Sequence, residues 1–358
     1  MREFLIREWF LTLLMVLYVA LAVIDNSLPK RTPGLIDWGS LSLIMALIIT
    51  SKGLELSGIF GKLAPKLVEK ANHSGKRLLF LLLPTIAFSS AVIMNDTAML
   101  VFIPLVVALS ELSGLDKAKA VTLSAISANV GSALTPIGNP QNIIIWHRYK
   151  LGFTTFTLGM LPFVLLWLGI LMTFVLISRE ERLTLESIPG VAFRRNLFLL
   201  SLLTLITDVY LGETGKHYLA LLITLVVFLL FEREVLLSFD WALVLTFAFI
   251  FADFNELSIL LQSLGLSFPR EGALLILTSA GVSQLISNVP ATVVFLNSNP
   301  HWLPLAVGVN AGGNGVIAGS IANLIALRIA RISVRDFHRY SVPYFLLSLA
   351  VAIVAFDF

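Results

Sequence analysis

Long apolar segments recur along the chain from Trp9 to Phe358, and the charged residues gather in short stretches between them. Only 13% of the 358 residues are charged, about half of the ~25% that is usual in soluble domains. A soluble domain needs a polar surface, so this pattern predicts an all-α polytopic membrane protein. The chain has no cysteine, which excludes disulfides and thiolate metal sites. Its net charge of +3 is typical of the basic loops of membrane proteins and does not indicate a nucleic-acid partner.

The second half of the chain repeats the polar landmarks of the first half. Five residues recur with the same identity 181 positions later: Asn129, Gly138, Asn142, Phe156 and Pro162 match Asn310, Gly319, Asn323, Phe337 and Pro343. Upstream matches keep the same order: Asp37-Trp38 with Asp240-Trp241, Glu55-Leu56-Ser57 with Glu256-Leu257-Ser258, and Asn95 with Asn288. Duplicated halves of this kind are typical of secondary transporters.

The sequence of each half predicts a spanning helix, a pair of apolar segments folded at a polar tip, a broken helix and a last helix. The predicted organisation is an N-terminal transmembrane helix (1–30), retained rather than cleaved as a signal peptide, a first repeat (31–180), a linker with two transmembrane helices (181–235) and a second repeat (236–358). The hairpins are predicted at 78–112 and 272–298, and the broken helices at 121–150 and 303–327. Segments 80–94 and 98–109 are short for a span, so the hairpins are expected to be re-entrant.

The positive charges predict the orientation of the chain. About nine spans are expected in addition to the hairpins, near 9–25, 36–51, 121–145, 156–178, 196–211, 217–231, 238–254, 303–327 and 341–357. With these spans, 19 of the 25 Lys and Arg residues lie on the side of the N-terminus. Basic residues concentrate on cytoplasmic loops, so we expect a cytoplasmic N-terminus and an external C-terminus in a cell (inner or plasma) membrane. An odd number of crossings separates the matching landmarks, which predicts two inverted repeats.

Polar breaks at matching positions of inverted repeats indicate a transport site. Helix ends near the midplane can hold an anion at free amides and sodium at free carbonyls. The residues expected to bind substrate are Asn95, Asp96, Thr97, Asn139, Pro140, Asn288, Val289 and Ser320. Those expected to bind the coupling ion are Asn95, Asp96, Gly138, Asn142, Ser287, Asn288, Thr292, Gly319 and Asn323. Sodium would lie at Asn95/Gly138/Asn142 and at Asn288/Gly319/Asn323. The competing interpretation is that these residues only cap helix breaks.

Four segments carry a resemblance to a known superfamily: NDTAMLVFIP, TPIGNPQN, SNVPAT and GSIANLIA. They resemble the ion transporter superfamily, which includes arsenite permeases, NhaD-type sodium/proton antiporters, citrate transporters and divalent anion/sodium symporters. The resemblance extends over nearly the whole chain from about residue 30. It implies two inverted repeats, each with a re-entrant hairpin and a broken helix, a homodimer in the lipid bilayer, and elevator-type transport driven by Na⁺ or H⁺, without another cofactor.

The hairpin tips depart from the dicarboxylate members of that superfamily, whose tips resemble Ser-Asn-Thr. The corresponding triplets are Met94-Asn95-Asp96 and Ser287-Asn288-Val289. An ionised Asp96 would repel a dianion by a few kcal/mol, roughly 4 at an effective dielectric constant near 20. Asp96 therefore binds the coupling cation or a proton, or the substrate is a neutral hydroxide such as arsenous acid. A third interpretation makes Asp96 a hairpin-tip cap.

The predicted function is secondary active transport of a small oxyanion or metalloid hydroxide such as arsenite. Di- and tricarboxylate transport, sodium/proton antiport and a passive channel stay open as alternatives. An enzyme is not expected, because the sequence has no HExxH motif and no Ser-His arrangement. Asp208 and Asp253 are expected near helix ends, at the membrane interface. The five histidines lack metal-ligand spacing, so no zinc site is expected.

Overall fold

The computed structural model describes residues 8–184 and 192–357, which form helices joined by short connections. Arg2 and Arg7, which contributed to the predicted charge asymmetry, lie outside the described residues, as does the stretch 185–191 of the predicted linker. Within the described part, β pairing is limited to one isolated antiparallel bridge between Ser74 and Arg182.

The helices follow the predicted order. The first half contains α1 (Trp9–Ile24), α2 (Leu28–Leu35), α3 (Trp38–Leu56), α4 (Ile59–Ala71), α5 (Gly75–Ile93), α6 (Asn95–Ser113), α7 (Lys117–Ser132), α8 (Pro140–Tyr149) and α9 (Phe153–Ile177). The second half contains α10 (Arg195–Glu213), α11 (His217–Phe231), α12 (Arg233–Leu237), α13 (Ala242–Ser263), α14 (Gly272–Ile286), α15 (Asn288–Leu296), α16 (Trp302–Gly312), a 3₁₀ turn (Ile317–Gly319), α17 (Ile321–Ala330) and α18 (Val334–Asp357).

Seven of the described helices are long and apolar enough to cross a membrane, namely α3, α5, α6, α9, α10, α13 and α18. Shorter apolar helices, α1, α11, α14 and α17, accompany them. The prediction of an all-α polytopic membrane protein is therefore confirmed. The number of crossings, the orientation and the inversion of the repeats stay predictions.

The two predicted hairpins differ in length. In the first, α5 and α6 have 19 residues each, about 28 Å at 1.5 Å per residue, so the expectation that both are too short to cross is wrong. Helix α5 is longer than its apolar run because it begins at Gly75, where Oγ of Ser74 caps it by accepting a hydrogen bond from the amide of Arg77. In the second, α14 has 15 residues and α15 has nine, as expected for short segments.

Both predicted broken helices are interrupted where the sequence indicated. Helix α7 ends at Ser132 and α8 begins at Pro140. In the second half, α16 ends at Gly312 and α17 begins at Ile321. Proline at the first position of α8 removes no intrahelical bond there, because that amide has no partner within the helix.

Each broken helix packs closely against the helix that precedes its hairpin tip. A Cβ atom on Gly131 of α7 would lie 2.0 Å from the carbonyl oxygen of Ala87 in α5, and one on Gly308 of α16 would lie 2.0 Å from Oγ of Ser279 in α14. In the first half a hydrogen bond stabilises this contact, since Oγ of Ser127 in α7 donates to the carbonyl of Leu83 in α5. The same close packing of small residues thus positions the hairpin tip beside the break in both halves.

The structure corrects the expected placement of two acids. Asp208 and Asp253 were expected near helix ends, but both are fully buried inside α10 and α13. The carboxylate of Asp208 accepts hydrogen bonds from the hydroxyls of Thr50 and Thr224, each at 2.8 Å. Neither carboxyl oxygen of Asp253 has a partner among the described residues. The prediction failed because α13 continues to Ser263 instead of ending near 254, which moves Asp253 towards the middle of the helix.

Candidate functional site

The two hairpin tips share an unusual backbone conformation. Met94 has φ 64° and Ser287 has φ 74°, a left-handed region that residues with a side chain rarely adopt. Directly after each, an asparagine begins a helix and its Oδ1 accepts from the next backbone amide, Asn95 from Asp96 at 3.0 Å and Asn288 from Val289 at 2.9 Å. Such strain persists only where the surroundings impose it, and it is concentrated at functional sites.

The first tip contacts the first helix break directly. The backbone amide of Asn95 donates to the carbonyl of Gly138 at 2.9 Å, and its Nδ2 donates to Oδ1 of Asn129 at 3.1 Å. Gly138 tolerates no side chain, because a Cβ atom there would lie 2.1 Å from the carbonyl oxygen of Ser132. The structure thus brings together Asn95 and Gly138, two residues that the sequence assigned to one half of the site.

Asn142 and Asn323 close the two breaks in the same way. Nδ2 of Asn142 lies 3.2 Å from the carbonyl oxygen of Ser132 and 3.0 Å from that of Thr135. Nδ2 of Asn323 lies 2.8 Å from the carbonyl of Gly313 and 3.5 Å from that of Val316. Each acceptor in the second set lies 181 positions after its counterpart in the first. These amides satisfy carbonyls that the end of a helix leaves free.

Two further asparagines connect the halves to each other. Nδ2 of Asn129 donates to Oδ1 of Asn323 at 2.9 Å, and Nδ2 of Asn310 donates to Oδ1 of Asn142 at 2.7 Å. Asn139 adds a third contact, since its Nδ2 donates to Oδ1 of Asn310 at 2.9 Å. From the sequence, Asn129 and Asn310 were recognisable only as landmarks of the repeat. Their identical spacing was the signal that could have assigned them to the site.

Asp96 and Thr97 of the first tip border a small cavity. Its volume is about 90 Å³, and its lining includes Lys52 and Glu55 from α3 and Asp240 from the start of the second repeat. Nζ of Lys52 lies 2.8 Å from Oε1 of Glu55. The cavity therefore joins the hairpin tip to the first helix of each repeat, with three carboxylates and one ammonium group around it.

The other predicted site residues are placed behind this cavity and do not line it. All of them are buried: Gly138, Asn139, Pro140, Asn142, Ser287, Asn288, Val289, Thr292, Gly319, Ser320 and Asn323. Ser320 caps α17, where its Oγ accepts from the amide of Ala322, and Thr292 donates to the carbonyl of Asn288. In this conformation most of the predicted set is buried, and Asp96 and Thr97 border the cavity.

Comparison with known proteins assigns the chain to a family. The model of the citrate transporter family matches residues 4–298. The chain belongs to the citrate transporter family. It is therefore a membrane transporter and not an enzyme.

Three relatives illustrate the range of this transporter family. Inner membrane protein YbiR of Escherichia coli (strain K12) is 35% identical over 96% of this chain and 94% of its own length. Uncharacterized transporter MJ0456 of Methanocaldococcus jannaschii is 29% identical over 86% of this chain and 85% of its own. Silicon efflux transporter LSI3 of Oryza sativa subsp. japonica is 35% identical over 39% of this chain and 29% of its own.

In this citrate transporter family member, buried side-chain amides bond the helix breaks, and the first hairpin tip lines the small cavity. Carboxylates accept hydrogen bonds and bind cations or protons, whereas Thr97 both donates and accepts. No group of three or more His, Cys, Asp or Glu side chains within the described residues is arranged to hold a metal ion. The groups at the cavity can donate and accept hydrogen bonds and attract cations.

Proposed function

We propose that this protein is a secondary active transporter that moves a small metalloid hydroxide or oxyanion, such as arsenous or silicic acid, by alternating access coupled to H⁺ or Na⁺. The observation that carries the proposal is the cavity at Asp96 and Thr97. At about 90 Å³ it is well below the ~300 Å³ at which ordinary ligand pockets begin. A solute with one central atom and a few hydroxyls matches that size, whereas citrate is much larger.

The charges around the cavity favour the same class of substrate. Glu55, Asp96 and Asp240 contribute carboxylates, and the single ammonium group of Lys52 is already paired with Glu55. Two like charges about 4 Å apart repel by roughly 4 kcal/mol at an effective dielectric constant near 20. A polycarboxylate would meet this repulsion, whereas a neutral hydroxide can donate hydrogen bonds to the carboxylates.

The rice relative supports a hydroxide substrate. It is named a silicon efflux transporter, and silicic acid is a small neutral hydroxide like arsenous acid. The support is confined to the 141 aligned residues, which make up 39% of this chain.

The network of asparagines supports two inverted repeats moving against a fixed frame. Replacing each residue by its counterpart in the other half turns the bond from Asn129 to Asn323 into the bond from Asn310 to Asn142. A two-fold relation between the repeats requires this correspondence. The nine spans, the cytoplasmic N-terminus in the inner or plasma membrane and the homodimer belong to this proposal. Single-residue labelling tests the orientation, and cross-linking in the membrane tests the dimer.

Citrate transport is the second candidate, because the matching family model is named for it. A transporter of citrate would need a larger site than this cavity provides. Uptake of citrate or succinate in preference to arsenite would make this candidate the function and overturn the first proposal.

Purified protein in liposomes tests the proposal directly. Arsenite, silicic acid, citrate and succinate are offered in parallel under an imposed proton or sodium gradient, with internal pH recorded to detect sodium/proton exchange without a solute. We expect arsenite or silicic acid to accumulate against its own gradient. Flux that follows the solute gradient alone would indicate a channel, and exchange of ions alone would indicate an antiporter.

A further inference from the structure

A second, larger cavity lies at the opposite end of α3 from the one beside Asp96. Its volume is about 710 Å³, and its polar lining includes Asp37, His147, Lys150, Glu213 and His217. On α3 the lining of the large cavity ends at Gly39 and that of the small one begins at Ile48, so about 14 Å of helix separates them. The proposed transport function uses none of the groups in this second lining.

His147 joins the first broken helix to α3 at the wall of this cavity. Its Nδ1 lies 3.0 Å from Oδ2 of Asp37 and 2.9 Å from Oγ of Ser40. Asp37 caps α3 and Ser40 lies in its first turn, whereas His147 lies in the last turn of α8. The first turn of the same short helix carries Asn142, which closes the break. The contact therefore connects the broken helix to the first helix of the repeat.

The hydrogen bonds determine which ring nitrogen is free. The hydroxyl of Ser40 donates to Oδ2 of Asp37 at 2.6 Å, so neither group has a hydrogen left to give Nδ1 of His147. The hydrogen of this contact must therefore be on Nδ1, and Nε2 is available to accept a second proton. The side chain of His147 is 25% exposed and lies beside the cavity, so water reaches the ring.

Gly39 and His217 shape the space around the imidazole of His147. A Cβ atom on Gly39 would lie 2.7 Å from Cε1 of His147, so the ring reaches Asp37 only because residue 39 has no side chain. The ring of His217 packs edge-on against that of His147, with centroids 4.2 Å apart, and its Nδ1 is buried without a partner in the described structure. Two imidazoles this close oppose a charge on both, so a single proton is favoured.

We propose that His147 binds a proton taken from the water of the large cavity, and that this proton tightens the contact of α8 with α3 and holds the broken helix in the conformation described here. The proton binds at Nε2, and the resulting imidazolium pairs with the carboxylate of Asp37. Loss of the proton to the cavity weakens the pair and frees α8 to move. The inference rests on the proposed function only in treating α8 as an element that moves during transport.

The charged groups around His147 are those of Asp37, Glu213 and Lys150, and the ring of His217 packs against it. Burial alone would raise the pKa of Asp37, but its hydrogen bonds with His147 and Ser40 outweigh that effect and hold the pKa at about 2. Asp37 therefore stays ionised across the physiological range. Imidazole is the side chain whose charge ordinarily changes between about pH 5 and 8. Helices α15 and α16, which pack on the other side of α8, contain no titratable side chain.

Hydrogen exchange of the α8 amides tests the proposal without any substrate. The full-length protein in nanodiscs is compared at about pH 5 and about pH 8, with rates divided by the intrinsic exchange rates at each pH. In the wild type we expect α8 to exchange about tenfold more slowly at the lower pH, equivalent to ~1.4 kcal/mol. His147→Gln should abolish this difference, and Asp37→Asn should reduce it.

Two additional variants complete the design. His301→Asn keeps a capping side chain at the start of α16 and lies outside the cluster, so it should retain the wild-type difference. Gly39→Ala should remove the difference by displacing the ring, and it serves as the test if His147→Gln does not fold. A wild type with equal corrected rates at both pH values, or a folded His147→Gln or Gly39→Ala protein that keeps the difference, overturns the inference. Failure of arsenite and silicic acid transport would overturn the proposed substrate and leave this result unaffected.

Discussion

Asn310 donates from Nδ2 to Oδ1 of Asn142 at 2.7 Å, across 168 positions of the chain. The reciprocal bond from Asn129 to Asn323 repeats this relationship with the two halves exchanged. The two helix breaks are therefore fastened to each other as well as closed within themselves. Buried amide networks of this kind fix geometry when every member is satisfied, and they are costly when one is removed.

Removing either closing amide should destabilise the protein. Asn142→Ala leaves buried carbonyls at the break without their donor and removes one of the two acceptors of the Asn310 side-chain amide, which keeps the carbonyl of Ala306. We therefore expect a loss of about 3 kcal/mol in the free energy of unfolding. Asn323→Ala should lose a similar amount. Thermal unfolding in detergent measures both. Asn297→Ala is the control, because this exposed asparagine contacts only Asn255 through its side chain and should change stability by less than about 0.5 kcal/mol. Losses equal to that of the control would show that the network adds nothing.

Replacing the acid at the first hairpin tip should affect transport more than folding. Asp96→Asn keeps the shape and removes the charge beside the small cavity, so we expect expression to be normal and coupled transport to fall at least about tenfold, equivalent to ~1.4 kcal/mol. Uptake in liposomes with and without the ion gradient measures the effect. Asp336→Asn, at an exposed position near the start of α18, is the control. Wild-type rate and ion dependence in Asp96→Asn would show that the carboxylate has no part in coupling.

The close approach of α7 to α5 should not tolerate a methyl group. Gly131→Ala places a Cβ atom 2.0 Å from the backbone carbonyl oxygen of Ala87, so the helices must separate. We expect a loss of about 3 kcal/mol or more, or failure to fold. Gly169→Ala is the matched control, because a Cβ atom on Gly169 in α9 meets nothing within 4 Å. Melting temperatures of the two purified variants measure the difference, and equal values would contradict the packing described.

The ion pair between Arg31 and Glu256 should stabilise the docking of α2 on α13. Both carboxylate oxygens of Glu256, whose side chain is 1% exposed, lie within 3.1 Å of Arg31. Arg31→Met leaves the buried carboxylate of Glu256 unpaired and also removes the partner of Asp25, so the free energy of unfolding should fall. The double variant with Glu256→Gln should recover part of that loss, and denaturation of all four proteins gives the coupling energy. Lys30→Met, at an exposed neighbour, is the control. A coupling energy of zero would show that the pair contributes nothing.

Much of the site was predictable because its signals are local. Pro136 and Pro140 cannot donate backbone hydrogen bonds, and α7 and α8 are interrupted around them. Asn95 and Asn288 mark the tips because a short amide side chain accepts from the next amide in a tight turn. The burial of Asp253 was not predictable, because it depends on how far α13 extends and on which helices cover it.

The sequence by itself determined the class of protein, the order of the helices and the positions of the two breaks, because hydrophobicity, proline and asparagine act through the solvent and the adjacent backbone. Only the tertiary structure decided which polar residues face a cavity and which support it. Asp96 borders open space, whereas Asn142 and Asn323 are almost fully buried against backbone carbonyls. That division depends on partners more than 100 positions away, such as Asn310 for Asn142. A repeated motif indicates which residues correspond to each other, but it does not show which of them form hydrogen bonds.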